Sequence, residues 1–89
     1  MPDAMPTDDE QVLTLAHGIE CYLEQHPNAA DSLEGIQRWW LARHRYAEDA
    51  LKVERALEWL IAKGIVARRI LPDGKAVYSG RKAESNQGL

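Results

Sequence analysis

The stretch YAEDALKVERALEWLIAKGIVARRILPDGKAVYS, residues 46–79, decides the fold. Its first part is amphipathic. Apolar residues recur at Tyr46, Ala50, Val53, Leu57, Leu60 and Ile61, a spacing that lays one continuous stripe along a helix. Lys63 and Gly64 mark its end, because glycine takes the left-handed conformation of a helix stop without strain. Beyond it, Ile65 to Leu71 mixes β-branched and apolar residues with arginine, and Lys75 to Ser79 forms a second such run. Pro72-Asp73-Gly74 between them has the chemistry of a hairpin turn. The expectation is a long helix that passes through glycine into a two-stranded hairpin.

Towards the N-terminus, Thr7 followed by Asp8, Asp9 and Glu10 is a capping box, with the acids at the positive end of the helix dipole. Val12, Leu15, Ala16, Ile19, Tyr22 and Leu23 trace one apolar face of a first helix that reaches Gln25. His26-Pro27-Asn28 ends it, since the residue before proline is pushed out of the helical region. Asp31 and Glu34 open a second helix with Asp31 as its cap. This helix is expected over Leu33 to Ala42, burying Leu33, Ile36 and Trp40. Gly35 in its first turn costs about 1 kcal/mol relative to alanine, which fits a place where another backbone comes close. Arg43-His44-Arg45 reads as a polar corner before the third helix. Residues 1–6 and 81–89 are polar or proline-containing and are expected to be loose tails, leaving one domain over residues 7–80.

A chain of 89 residues has room for one domain with a modest core. Cys21 is the single cysteine and no Cys/His pair has zinc-finger spacing, so a reducing, cytoplasmic compartment is expected. Neither a signal-peptide pattern nor a membrane-length apolar run is present in the sequence. The net charge of −3 gives no support to strong non-specific nucleic-acid binding, but its distribution is lopsided. Residues 1–37 carry eight acids and no lysine or arginine, whereas residues 38–89 carry all 11 basic residues against six acids. The two parts are therefore −8 and +5, and the molecule is a dipole.

The pattern as a whole is α+β: a three-helix bundle followed by a C-terminal two-stranded wing. Over Thr7 to Ser79 it resembles the winged helix-turn-helix superfamily. The resemblance is carried by Val53, Arg55-Ala56-Leu57, Leu60, Lys63-Gly64-Ile65-Val66 and the turn Pro72-Asp73-Gly74. These look like the recognition-helix end and wing of many bacterial regulators. The resemblance implies DNA binding by helix 3 and the wing, as in a small transcriptional regulator or accessory factor. It assigns phosphate contacts to Arg43, Arg45, Arg68, Arg69 and Lys75, and base contacts to Lys52 and Arg55. On a helical wheel Glu48, Lys52 and Arg55 lie opposite the buried stripe. Glu48 and Asp49 oppose this use, because two carboxylates at the helix start would meet phosphates. Regulators of this fold usually dimerise, and a homodimer here would have to use helix 1 or exposed tryptophans.

The alternative is a protein-interaction module, either an adaptor or a subunit of a complex. Trp40 belongs to the core, Trp39 lies at the edge of helix 2, and Trp59 falls on the outward face of helix 3 near Leu51. Tryptophan is enriched at interaction hot spots, so Leu51, Trp59 and Trp39 are the candidate interface. A plainer account covers the same residues: the charges only solvate an exposed face, and Trp59 packs under the wing, the N-terminal tail or an arginine stem. His17, Cys21 and Glu24 share a face of helix 1 at metal-ligand spacing, but no further ligands accompany them, and no metal or cofactor is expected. No nucleophile–base pair or glycine-rich phosphate loop occurs in the sequence, so no enzyme is expected.

Overall fold

The computed structural model describes residues 8–81, which form three helices and a small three-stranded antiparallel sheet. Helix α1 is Asp8–Gln25 and strand β1 is Ala30–Asp31. Helix α2, Leu33–Gly35, continues as a π-helical turn over Ile36–Trp40, and a 3-10 turn follows at Arg45–Glu48. Helix α3 is Ala50–Ala62, and strands β2 and β3 are Val66–Ile70 and Ala76–Gly80. The expected Thr7 cap and the tails at residues 1–6 and 82–89 lie outside the described residues. Arg81 is described, and its backbone N–H donates to the Ile65 carbonyl at 2.9 Å.

Helix α3 begins four residues later than its apolar spacing predicts. Asp49 is the reason: it is extended, and its carboxylate accepts the Leu51 N–H at 3.0 Å, the arrangement of an N-cap. Tyr46 and Glu48 therefore belong to the separate 3-10 turn, and Ala50 is exposed instead of buried. The other end matches the expectation. Gly64 has φ +81°, its N–H donates to Ile61 at 3.0 Å, and the Ile65 N–H donates to Leu60 at 2.9 Å. These two bonds form a Schellman stop.

The second helix also departs from its expected form. Its N-cap is Ser32, whose hydroxyl accepts the Gly35 N–H at 3.2 Å, while Asp31 is extended and accepts the Ser32 N–H at 2.8 Å. Gly35 is explained by that carboxylate and not by a neighbouring backbone, since a Cβ there would lie 2.0 Å from Asp31 Oδ1. The helix then widens, with the Leu41 N–H donating five residues back to Ile36 at 2.9 Å. A wider turn sets positions four and five residues on astride one face. Ile36, Trp40 and Leu41 are accordingly all buried while Trp39 faces out.

The core is one cluster in which Val12, Leu15, Ile19 and Leu23 of α1 meet Val53, Leu57 and Leu60 of α3, closed by Ile36, Leu41, Val66 and Tyr78. Tyr22 covers its edge, stacked on Trp40 with centroids 4.8 Å apart and planes within 10°. The hairpin turns where expected. The Gly74 N–H donates to Leu71, the Leu71 N–H to Lys75, both at 2.8 Å, and Gly74 has φ +92°. That is a three-residue loop ending in a left-handed glycine. The expected pair of strands carries a third: β1 joins the free edge of β3, pairing Ala30 with Ser79 and Asp31 with Tyr78, in the order β1-β3-β2.

Gly35 supplies a check on this packing. Gly35→Ala should lower stability by about 1 kcal/mol, because Asp31 must abandon its bond to Ser32. In an Asp31→Ala background the same change should raise stability by up to about 1 kcal/mol, the ordinary helix preference for alanine. Urea unfolding of the four proteins measures this, and equal effects in both backgrounds would refute the Asp31 contact.

Candidate functional site

The outer side of α3 does not stand free, because the first turn of α1 lies beside it. Lys52 Nζ donates to Gln11 Oε1 and sits 5.8 Å from the centre of the Tyr46 ring. Arg55 pairs with Asp9 at 3.3 Å. The two residues expected to read bases are thus both engaged by α1 or its neighbours. Arg45, expected in the polar corner before helix 3, begins the 3-10 turn, and Arg43 precedes it. Both are exposed.

The wing separates its arginines. Cross-strand partners share a face of a sheet, and Arg68 pairs with Tyr78, Arg69 with Val77. Tyr78 is buried against the core, so Arg68 points inward towards α3 and Arg69 points away. Arg68 reaches Glu58 at 3.4 Å. Its guanidinium pKa is raised, chiefly by hydrogen bonding to Tyr78 and secondarily by Glu58, so it stays charged throughout. Lys75 is exposed beside the turn on the same face as Arg69. Among the described residues, Arg43, Arg45, Arg69 and Lys75 make no ion pair.

The apolar candidates behave differently. Leu51 and Trp59, 69% and 39% exposed, line one groove of about 690 Å³ between α3 and α1. Leu13 of α1, 44% exposed, forms the opposite wall and Val12 lies at the base. Among the described residues that line the groove, Asp9, Glu54 and Glu58 are acidic and Arg55 is basic. Lys63 lies 4.5 Å over the Trp59 ring, so the cover on that ring comes from its own helix end. Trp39 is 69% exposed but sits on the π-helical turn and is not part of this groove. Leu13 escaped the sequence reading. The signal for it was an apolar residue one position outside the α1 stripe.

Further along α1, His17 Nε2 and Cys21 Sγ are 3.5 Å apart, both on the surface or partly so. Among the described residues, no group of three or more His, Cys, Asp or Glu side chains is placed to hold a metal. Nor is any helix there long and apolar enough to cross a membrane. Comparison with protein-family models, with curated proteins and with solved structures finds no match to this chain.

The different settings of the three indoles give a direct test. With single-tryptophan variants, acrylamide quenching should be strongest for Trp39, intermediate for Trp59 and weakest for Trp40, which is 7% exposed. A Trp59 as shielded as Trp40 would mean that the groove is filled by the chain itself.

Proposed function

We propose that this chain is a winged-helix-type domain that works as a protein-docking module, receiving its partner in the groove between α1 and α3. The observation that carries this reading is the union of Leu13, Leu51 and Trp59 in one open, acid-rimmed apolar surface. Large exposed apolar patches with polar rims mark interaction sites, and buried tryptophans anchor such contacts. The groove is open to solvent, which suits a protein segment better than an enclosed small molecule. In this reading the module performs no chemistry of its own.

The charge on α3 supports the same choice. A helix that enters the major groove needs donors for phosphates and base edges. The exposed side of α3 offers Leu51, Glu54, Arg55, Glu58 and Trp59, and of its two cations Lys52 bonds Gln11 and Arg55 pairs with Asp9. The acidic Glu48 and Asp49 stand at its start, with Asp49 already used as the cap.

Nucleic-acid binding stays as a second reading because of the unpaired cations Arg43, Arg45, Arg69 and Lys75. It would be binding to phosphates by the corner and the outer face of the wing, without base contacts from α3.

A photo-crosslinking amino acid at position 51 should trap protein, and the yield should fall at least tenfold on Leu13→Glu, as expected for a hot-spot loss of roughly 1.4 kcal/mol or more. Nucleic-acid adducts from position 51 would contradict the docking role. For the second reading, duplex DNA of random sequence should bind with a salt slope that falls by about 0.9 for each of the four cations replaced by alanine. Fluorescence anisotropy without measurable binding at low salt would remove that reading.

A further inference from the structure

Strand β2 is an open edge of the sheet. The order β1-β3-β2 leaves its outer side unpaired, whereas on the far side of β3 Tyr78 is paired by Asp31 of β1. The hairpin bonds fix which backbone groups this edge offers. The Leu71 N–H donates to the Lys75 carbonyl and the Arg81 N–H to that of Ile65. Residues 67 and 69, in phase with these bonds, turn their N–H and C=O groups towards β3. Those of Val66, Arg68 and Ile70 point the other way. Val66 is buried, while Arg68 and Ile70 are exposed, Ile70 to 62%. The register from Val66 with Gly80 to Ile70 with Ala76 runs without a bulge, and residues 65–71 contain no proline. Two of the usual devices that close a strand edge are thus missing from this one.

What the edge does carry is charge of one sign. Arg68 lies on the inner face and is held by Glu58, while Arg69 lies on the outer face without an ion pair among the described residues. Asp73 belongs to the turn beyond the strand, where its carboxylate accepts the Lys75 N–H at 3.0 Å. Two adjacent arginines oppose a second copy of β2 along this edge. A two-fold antiparallel pair centred on Arg68 or on Arg69 sets that arginine opposite its own copy. One centred on Ile70 sets the two Arg69 side chains diagonally across one face. Like charges so placed repel. The edge suits a strand of the opposite sign.

We infer that the free edge of β2 takes up an extended, acidic segment of another protein by strand addition. The backbone of that segment pairs with the outward N–H and C=O groups of Arg68 and Ile70. Its side chains alternate between the two faces of the sheet. A carboxylate on the outer face comes beside Arg69, and an apolar side chain on the inner face comes beside the exposed Ile70. The segment is therefore recognised by an alternation of acidic and apolar residues, with main-chain bonds supplying affinity and the two neighbours supplying selectivity. This edge is a second docking site, separate from the groove between α1 and α3, and neither site requires the other.

Solvent exchange of individual backbone amides, read by NMR on the labelled full chain, tests this with the synthetic peptide acetyl-Gly-Val-Glu-Val-Glu-Val-Gly-amide. Exchange at the Arg68 and Ile70 amides should slow as peptide is added at low salt, by about fivefold or more at the highest concentrations. The Arg69 amide, which faces β3, should not change. The same peptide with lysine in place of glutamate should slow none of the three. Arg69→Glu, at an exposed position, should reverse the preference between the two peptides. Ile70→Pro removes an outward N–H and no hairpin bond, so it should abolish the slowing at Arg68 while far-ultraviolet circular dichroism shows the fold retained. Arg68 and Ile70 amides that exchange freely at every peptide concentration overturn strand addition. Equal slowing by the lysine peptide overturns the acidic partner. If the edge takes no peptide while position 51 still crosslinks to protein, the docking groove stands without this second site.

Discussion

The packing of α1 along α3 is the constraint on which the rest depends. Leu15, Ile19, Val53, Leu57 and Leu60 are fully buried in that contact, and removal of such side chains from water is the main stabilising term available to a domain this small. The same contact fixes what the outside of α3 can do. Once the apolar stripes are matched, the first turn of α1 lies beside α3, where Asp9 and Gln11 take up Arg55 and Lys52. Exposed ion pairs of this kind add little to stability. Their effect is on availability, because a cation already satisfied by a neighbour costs free energy to redirect towards a phosphate. Packing chosen by the core thus turns a helix with two basic residues into one wall of an acidic groove.

Much of the fold was legible in the sequence because its signals are local. The stripe in α1, the proline after it, the glycine stop of α3 and the Pro72-Asp73-Gly74 turn each act within a few residues, and each is where the sequence puts it. The misreadings came from competition between signals. Tyr46 continued the apolar period of α3, but Asp49 capped the helix after it and so split the element. Asp31 was the expected cap of α2, but it pairs with Tyr78 in the sheet and Ser32 caps the helix instead. Strand β1 is two residues long, too short to show a period.

The candidate surface was only partly legible, for a different reason. A helical wheel tells which residues leave their own helix's buried stripe, and it put Leu51 and Trp59 outside correctly. It cannot tell which other element approaches that outer face. The partnership of Lys52 with Gln11, and of Arg55 with Asp9, spans more than 40 residues of sequence. Adjacent Arg68 and Arg69 looked like one basic patch, yet strand alternation sends them to opposite faces. Leu13, an apolar residue just beyond the buried stripe of α1, becomes meaningful only once it is seen across the groove from Leu51 and Trp59.

In the proposed function the outer face of α3 is a protein-docking wall and not a DNA-reading surface. An amide-resolved NMR titration of the isotopically labelled chain with duplex DNA at low salt tests it most directly. With α3 reserved for docking, its amides from Leu51 to Trp59 should hold their positions at every DNA concentration, with any shifts confined to the Arg43–Arg45 corner and the outer face of the wing. Progressive shifts of Lys52 and Arg55 as DNA is added would contradict it, because they would show α3 leaving α1 to enter the groove of the duplex.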